Sequence, residues 1–339
     1  LAALFLNKHG DSIKEVKALD SPALRQKQFR KIYEYLCDKP RFRPHHVSKE
    51  MRLRPSSVAS RLKEAIEKEY IAGPQIRKKS FSNLKSYVNF VDSDDPVELY
   101  QRCREDKNVI HNAILDGFCN FRVVSEKPMN IKGSVLGGVL PDYVLSRPPD
   151  HPWGTAINIM HDLVREFNPE DYIPKYYITN HWNETVEWSE EHEILYREFK
   201  YDLRKLLDPL VRKYGISISR IRNFLEQLPT YCIIFTCYYR ESLPTYDEYV
   251  HVLETDYEDF IIDVFSQLPA TCWFYKVEDK LIAHLQIKTR PLRKKGGQIK
   301  GVTRLHIPLL VKDMMKKGIV KSEAHGTFKC FWRKEVDDI

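Results

Sequence analysis

The segment Arg54-Pro55-Ser56-Ser57-Val58-Ala59-Ser60-Arg61-Leu62-Lys63 sets hydroxyls and cations between apolar residues at helical spacing. With Val58, Leu62 and Ala65 turned to a core, Ser56, Ser57, Ser60, Arg61 and Lys63 project outward. Such a face suits the major groove of double-stranded DNA. Arginine reaches guanine O6 and N7 in a bidentate way, and serine contacts base edges less selectively. Arg54 before the helix and Arg77-Lys78-Lys79 after it are placed for phosphates, which give affinity but no sequence information. The alternative is a solvated helix on a winged-helix scaffold that joins proteins. Ser219, Arg220, Arg222 and Asn223 form a second outward set, a candidate second DNA-binding helix. There, the apolar run Pro229 to Phe235 stands where a basic wing would follow.

Charge distribution points the same way. The chain of 339 residues carries a net charge of +7. From Arg41 to Ser80, eleven Lys/Arg face four Glu, a surplus equal to that of the whole chain. Lys288 to Lys300 holds six cations and no acid around Gly296-Gly297. It reads as a solvated hairpin loop, or as a phosphate-binding arm. Other chemistry is sparse. The seven cysteines are dispersed without a C-x-x-C pair, which implies no disulfide framework and a reducing cytoplasm. The twelve histidines include no His-x3-His or His/Cys cluster, so no metal site is expected. Gly137-Gly138 lacks the Lys-Ser/Thr of a phosphate loop, and no cofactor is expected. No apolar run approaches the roughly 20 residues of a membrane span, so no membrane partner is expected. Leu1 to Leu6 reads as a packed terminal segment rather than a signal peptide.

These residues need elements to position them, and the chain supplies the elements twice. Ser21-Pro22 starts a helix that runs to Cys37, a short helix spans about Pro44 to Met51, and Pro55 opens a third. Together with the basic Gln75 to Ser80 they make a winged helix-turn-helix. Strands are read at Leu84 to Val91, Val109 to Leu115, Phe118 to Val124 and Tyr176 to Trp182, with helices at Asp95 to Glu105 and Thr155 to Phe167 and an extra hairpin at Ser134 to Leu145. That order is the ferredoxin-like βαββαβ. The plan then recurs. Helices are read at Glu190 to Leu207, Asp208 to Tyr214 and Ser217 to Leu228, and a strand at Tyr231 to Tyr239. A second ferredoxin-like series follows from Tyr246 to Arg333. The fold class is α+β, as two tandem copies of winged helix-turn-helix plus ferredoxin-like domain. The divisions fall at 1–20 (extension), 21–82, 83–183, 184–243 and 244–339.

The order resembles the Lrp/AsnC (feast/famine) transcription regulators. Arg54 to Lys63 is similar to that family's Ser-Pro-Ser-Thr-Val-x-x-Arg-Ile recognition helix, and Glu69 to Pro74 to its exit toward the wing. Asp116-Gly117-Phe118-Cys119-Asn120-Phe121 resembles its Gly-x-Tyr-Asp strand junction, which makes Asp116, Gly117 and Asn120 a candidate site for a small-molecule effector. Here Asn120 stands where Asp is usual, and the second copy has Val277-Glu278-Asp279-Lys280 without a glycine. The resemblance implies a cytoplasmic, sequence-specific DNA-binding transcription regulator that is not an enzyme. It acts as a homodimer or as an internal pseudo-dimer of its two regulatory domains. A second resemblance leads elsewhere. Val109-Ile110-His111-Asn112 is similar to the Val-x-His-Asn-Tyr-x-Arg strand of the siroheme decarboxylases, built on the same double-module fold. It implies that His111 handles substrate carboxylates and protons. Ala113 and Leu115 occupy the Tyr and Arg places.

Overall fold

The structure, a computed structural model, describes residues 21–288, 292–293, 299–300 and 303–334. The extension 1–20 and most of the cationic loop between Lys288 and Lys300 lie outside the described residues. The first winged helix comprises α1 (Pro22–Asp38), α2 (Pro44–Met51), α3 (Pro55–Glu67) and β1 (Ile71–Lys78). Ser21 caps α1 by accepting the Leu24 N–H, and Pro22 occupies the first turn, where its missing N–H costs nothing. Its counterpart comprises α6 (Glu190–Phe199), α7 (Leu207–Tyr214), α8 (Ile218–Tyr231) and β7 (Cys232–Tyr238). The tight turn takes a left-handed residue in both units, Arg52 at φ 52° and Gly215 at φ 68°.

The long helix read from Glu190 to Leu207 stops at Phe199. Tertiary hydrogen bonds capture the backbone beyond it. The Lys200 carbonyl accepts the Ile76 N–H at 3.0 Å, and the Leu203 N–H donates to the Pro74 carbonyl at 2.9 Å. A further turn of helix would forfeit both.

Between the winged helices lie β2 (Tyr87–Val91), α4 (Pro96–Glu105), β3 (Val109–Gly117), β4 (Phe121–Ser125), β5 (Ser134–Val139), β6 (Val144–Leu145) and α5 (Trp153–Glu166). After the second come β8 (Tyr246–Glu254), α9 (Glu258–Phe265), β9 (Trp273–Val277), β10 (Lys280–Lys288), the two-residue ladder of β11 (Leu292–Arg293) with β12 (Ile299–Lys300), α10 (Thr303–Lys316) and β13 (Ser322–Arg333). The second unit is a complete βαββαβ with strand order β13-β8-β10-β9. At its β9–β10 turn Glu278 takes φ 52°, so a residue other than glycine makes the junction. The first unit keeps the order β5-β2-β4-β3 but departs in its last elements. The strand expected at 176–182 is not one. The hairpin strand β5 takes the edge place instead, antiparallel to β2. The irregular segment at 175–177, with Tyr176 at φ 55°, is held by Asp259, whose carboxylate accepts the N–H groups of Lys175, Tyr176 and Tyr177. Helix α5 packs over the second unit, with Trp153, Ile157, Met160 and Val164 in one core with Phe265, Leu310 and Met314.

The two units share one nine-stranded sheet, β5-β2-β4-β3-β13-β8-β10-β9-β6, joined where β3 pairs antiparallel with β13. This sheet must curl. Laid flat, its end strands would be about 38 Å apart. Yet β5 ends at Val139 and β6 begins at Val144, a link that spans at most about 18 Å. The interior so formed is filled by Val88, Phe90, Ala113, Leu115, Val250, Val277 and Ile282 from both units. The winged helices also meet. β1 pairs with β7, Ile71 opposite Tyr238 and Lys78 opposite Cys232. Ile76 of β1 packs in the core of the second helical unit, and Tyr238 of β7 in the core of the first.

Gly117 marks the seam. Its φ is +145°, and a Cβ there would lie 2.2 Å from the His325 carbonyl oxygen. Gly117→Ala is therefore expected to lower stability by at least about 2 kcal/mol in chemical denaturation. An unchanged midpoint would show that the β3–β13 seam tolerates the displacement.

Candidate active site

Along a strand, successive side chains alternate between faces, so a strand with both faces buried should be apolar throughout. Five strands break that rule on their inner face. They contribute His111 (β3), Arg122 (β4), Glu248 (β8), Tyr275 (β9), and His284 with Gln286 (β10) to a cavity inside the curled sheet. Arg77 of β1 and Tyr196, Lys200 and Tyr201 at the end of α6 close its other side. Atom-free space within it is about 1590 Å³, its open mouth included. Lys200 reaches the cavity because the helix breaks there.

The polar groups form a directed chain. A guanidinium only donates, so Arg122 donates to the Tyr275 hydroxyl oxygen at 3.2 Å and to His111 Nδ1 at 3.3 Å. The His284 Nδ1–H donates to the Glu248 carboxylate at 2.9 Å, which leaves Nε2 to accept the Tyr275 O–H at 3.0 Å. By the same logic the His111 proton sits on Nε2. Arg122 is 6% exposed, and its Nε, like Gln286 Oε1, has no partner among the described residues. A buried polar atom left unpaired costs about 1–3 kcal/mol, which makes these atoms recipients for a bound molecule.

Burial first, then the Arg122 and Arg77 charges, holds the His111 ring well below its ordinary pKa. Burial likewise lowers His284, and its bond to Glu248 offsets this only in part. Burial alone would raise Glu248, but the His284 bond and the nearby charges outweigh it and keep the carboxylate ionised. Lys200 is brought down to about 7 by burial and by Arg77. Aromatic faces complete the walls. Tyr143 meets Tyr275 edge-on at 5.1 Å, and Phe331 stacks on His111 at 5.9 Å. The Arg333 guanidinium lies 4.3 Å from the Tyr201 ring centre, and Arg77 5.4 Å from the same ring.

The residues expected to read DNA are not brought together in this way. Arg54, Ser56, Ser57, Ser60 and Lys63 are exposed on the α3 surface. Arg61 folds back on its own unit, bonding Glu64 and Gln28, both at 2.9 Å. The solvent-facing basic wing is corrected, because β1 is consumed by pairing with β7. Arg77 turns into the cavity. Lys78, with a side chain 13% exposed, pairs with Glu193 at 2.6 Å and Glu126 at 3.6 Å. Lys79 bonds the Pro229 carbonyl at 2.8 Å. In the second unit Ser219, Arg220, Arg222 and Asn223 are exposed, with Arg220 paired to Glu191 at 3.0 Å. The effector candidates lie at the strand junction rather than in the cavity. Asp116 pairs with Lys329 at 3.4 Å, and Asn120 clasps both backbone groups of Ser93 at 2.8 Å. Asn112 points away from the cavity, its Nδ2 on the Tyr100 carbonyl at 3.2 Å.

Of the cavity, the sequence marked His111 and, as wing residues, Arg77 and Lys78. The signal for the rest was present in Ile282-Ala283-His284-Leu285-Gln286-Ile287, where one face of a buried strand is polar. The fold also places a guanidinium on His111 and a phenol on that guanidinium, although Leu115 and Ala113 fill the Arg and Tyr places of the resembled strand. Arg122 comes from the neighbouring strand and Tyr275 from the other unit.

No family model and no curated protein matches the chain. Two solved structures are similar to it, the siroheme decarboxylase NirDL and the same protein in co-complex with an iron-uroporphyrin III analogue. Identities are 12% and 11% and TM-scores 0.46 and 0.45, over 91% of this chain and 93% of each of those. Both are structures of an enzyme, and the expectation that this chain is not one is withdrawn. Among the described residues no helix is long and apolar enough to cross a membrane.

Lys200 yields a test of the site's electrostatics. Its folded value of about 7 lies below the ordinary 10.5, so the unfolded chain binds more protons between these limits and stability rises with pH across that window. Lys200→Met is expected to remove up to about 2 kcal/mol of the rise between pH 7 and pH 9 in urea denaturation. Identical pH slopes for the two proteins would mean that Lys200 is solvated.

Proposed function

We propose that the chain is a decarboxylase of a carboxylate-bearing tetrapyrrole of the siroheme or uroporphyrin class, acting in the cavity between its two copies. The observation that carries the reading is the composition of that cavity. Arg77, Arg122 and Arg333 set positive charge among the flat faces of Tyr143, Tyr196, Tyr201, Tyr275 and Phe331, and Lys200 adds an amine that a bound carboxylate would hold protonated. Cations select carboxylates and aromatic walls select a planar conjugated body, so together they suit a planar polyacid.

Removal of an acetate carboxyl follows R–CH₂–COO⁻ + H⁺ → R–CH₃ + CO₂. The C–C bond breaks, its electron pair stays on the CH₂ carbon, and that carbon then takes a proton. Tyr275 is the donor in this scheme. Its hydroxyl leaves a phenolate that Arg122, at 3.2 Å, stabilises, and a proton from solvent restores the O–H, which His284 Nε2 then accepts in the tautomer that Glu248 holds. Neutral His111 and the cations orient the carboxylates that remain. The carboxylate that leaves loses its charge as CO₂, so it gains from a place in the cavity with few donors.

Titration with siroheme or iron-uroporphyrin III is expected to shift the haem-like absorbance band, and mass spectrometry of the product to show loss of CO₂. Tyr275→Phe is expected to slow turnover at least about 100-fold while binding stays within about threefold. Absence of any absorbance shift in the folded wild type would end the reading, and full turnover by Tyr275→Phe would remove that residue from it.

A second reading concerns α3 alone. Exposure of Arg54, Ser56, Ser57, Ser60 and Lys63 favours duplex DNA contact by that surface. Salt-sensitive duplex binding that weakens in a combined Arg54→Ala, Lys63→Ala variant is its expected outcome. Salt-independent binding, or none, would dismiss it.

A further inference from the structure

The opposite face of the same sheet carries a second cluster, unconnected with the cavity. His251 on β8 and His325 on β13 are direct partners in the antiparallel ladder. Glu323 lies two residues before His325 and therefore projects from the same face. One oxygen of Glu323 stands 2.8 Å from His251 Nδ1 and 3.0 Å from His325 Nδ1. The nitrogen and oxygen donors of the three side chains lie within 4.8 Å of one another. His251 forms the floor at 2% exposure, beneath the rings of Tyr249 and Phe265. His325 forms the mouth, its side chain 50% exposed, and Glu323 lies between them at 15%. Phe118 of the first unit donates its N–H to the His325 carbonyl at 3.0 Å, so the cluster sits at the seam between the units.

Two imidazoles and a carboxylate converging from rigid strands are a donor set for a divalent first-row transition ion. Bonds of about 2.0–2.2 Å place neighbouring ligand atoms about 3.0 Å apart around a six-coordinate ion and about 3.4 Å apart around a tetrahedral one. The two distances from Glu323 to the histidine nitrogens match the first. Within the cluster His251 Nδ1–H donates to Glu323, and Nε2, on the far side of the ring, has no partner among the described residues. When an ion displaces that proton, Nε2 takes it and Nδ1 presents its lone pair. We propose that His251, Glu323 and His325 bind one divalent ion of the zinc class, with solvent completing the coordination on the His325 side. The ion would join β8 to β13 beside the seam.

The test uses the whole chain, stripped with a chelator and titrated with Co²⁺ and then with Zn²⁺ in competition. No tetrapyrrole is present, so the result does not depend on the proposed decarboxylation. Wild type is expected to take up one Co²⁺ per chain with visible d–d bands that Zn²⁺ abolishes. His325→Ala and Glu323→Gln are each expected to weaken uptake at least about tenfold. Both positions are solvent-touching, and circular dichroism establishes their folding. If His325→Ala does not fold, the near-isosteric Glu323→Gln decides alone. No uptake by wild type, or undiminished uptake by the folded variants, overturns the proposal and leaves a hydrogen-bonded His–Glu–His cluster.

Discussion

One antiparallel ladder, β3 against β13, governs the arrangement of this protein. Each ferredoxin-like unit ends in an edge strand whose N–H and C=O groups need partners, and each edge satisfies the other. The ladder makes two small sheets into one of nine strands. The short link between β5 and β6 then forces that sheet to close on itself. A cavity with two chemically different walls is the geometric result. His111 and Arg122 stand on strands of the first unit, and Glu248, Tyr275 and His284 on strands of the second.

The winged helices obey a similar economy of edges. A wing strand left in solvent would display unpaired backbone groups. Here the two wing strands pair with each other, and each places a side chain in the other's helical core. That exchange takes the basic segment after α3 away from solvent and turns Arg77 toward the cavity. Backbone groups of β1 also capture the chain at Lys200 and Leu203 and stop α6, which brings Lys200 to the same wall. Positive charge at the mouth thus follows from how the helical units are joined. Opposite charges nearby are already engaged, Glu248 with His284 and Glu126 with Lys78.

How much of this was legible in the sequence depends on whether the signal was local. Caps and periodicity marked the helices of both winged units, and alternation marked the strands of the second ferredoxin-like unit. Ser21-Pro22 and Ser217 act as caps through their own side chains, so the sequence suffices to read them. The end of α6, the use of β5 as an edge strand and the displacement of α5 were not legible, because each is decided by contacts between segments far apart in the chain. The site followed the same division. His111 stood out within its strand, but Arg122, Tyr275, His284 and Lys200 acquire meaning only when two copies face each other. In the His251–Glu323–His325 cluster His251 and Glu323 stand 72 positions apart and are brought together by strand register, so no spacing rule finds it. The exposed residues of α3 point to DNA because their pattern is local, while the cavity is not.

Joining both halves in one chain has a consequence for assembly. A pocket built between separate subunits is present only while the subunits associate, and dilution removes it by mass action. Here the partner half is tethered, so the effective concentration of one half for the other is set by the connecting chain and not by the amount of protein. Occupancy should therefore scale simply with ligand, one per polypeptide, even at trace abundance. Duplication also frees the halves from the requirement that any change in one appear in the other. An arginine–histidine wall can then oppose a tyrosine–histidine–glutamate wall, and a bound molecule meets a directional pocket in place of a two-fold one.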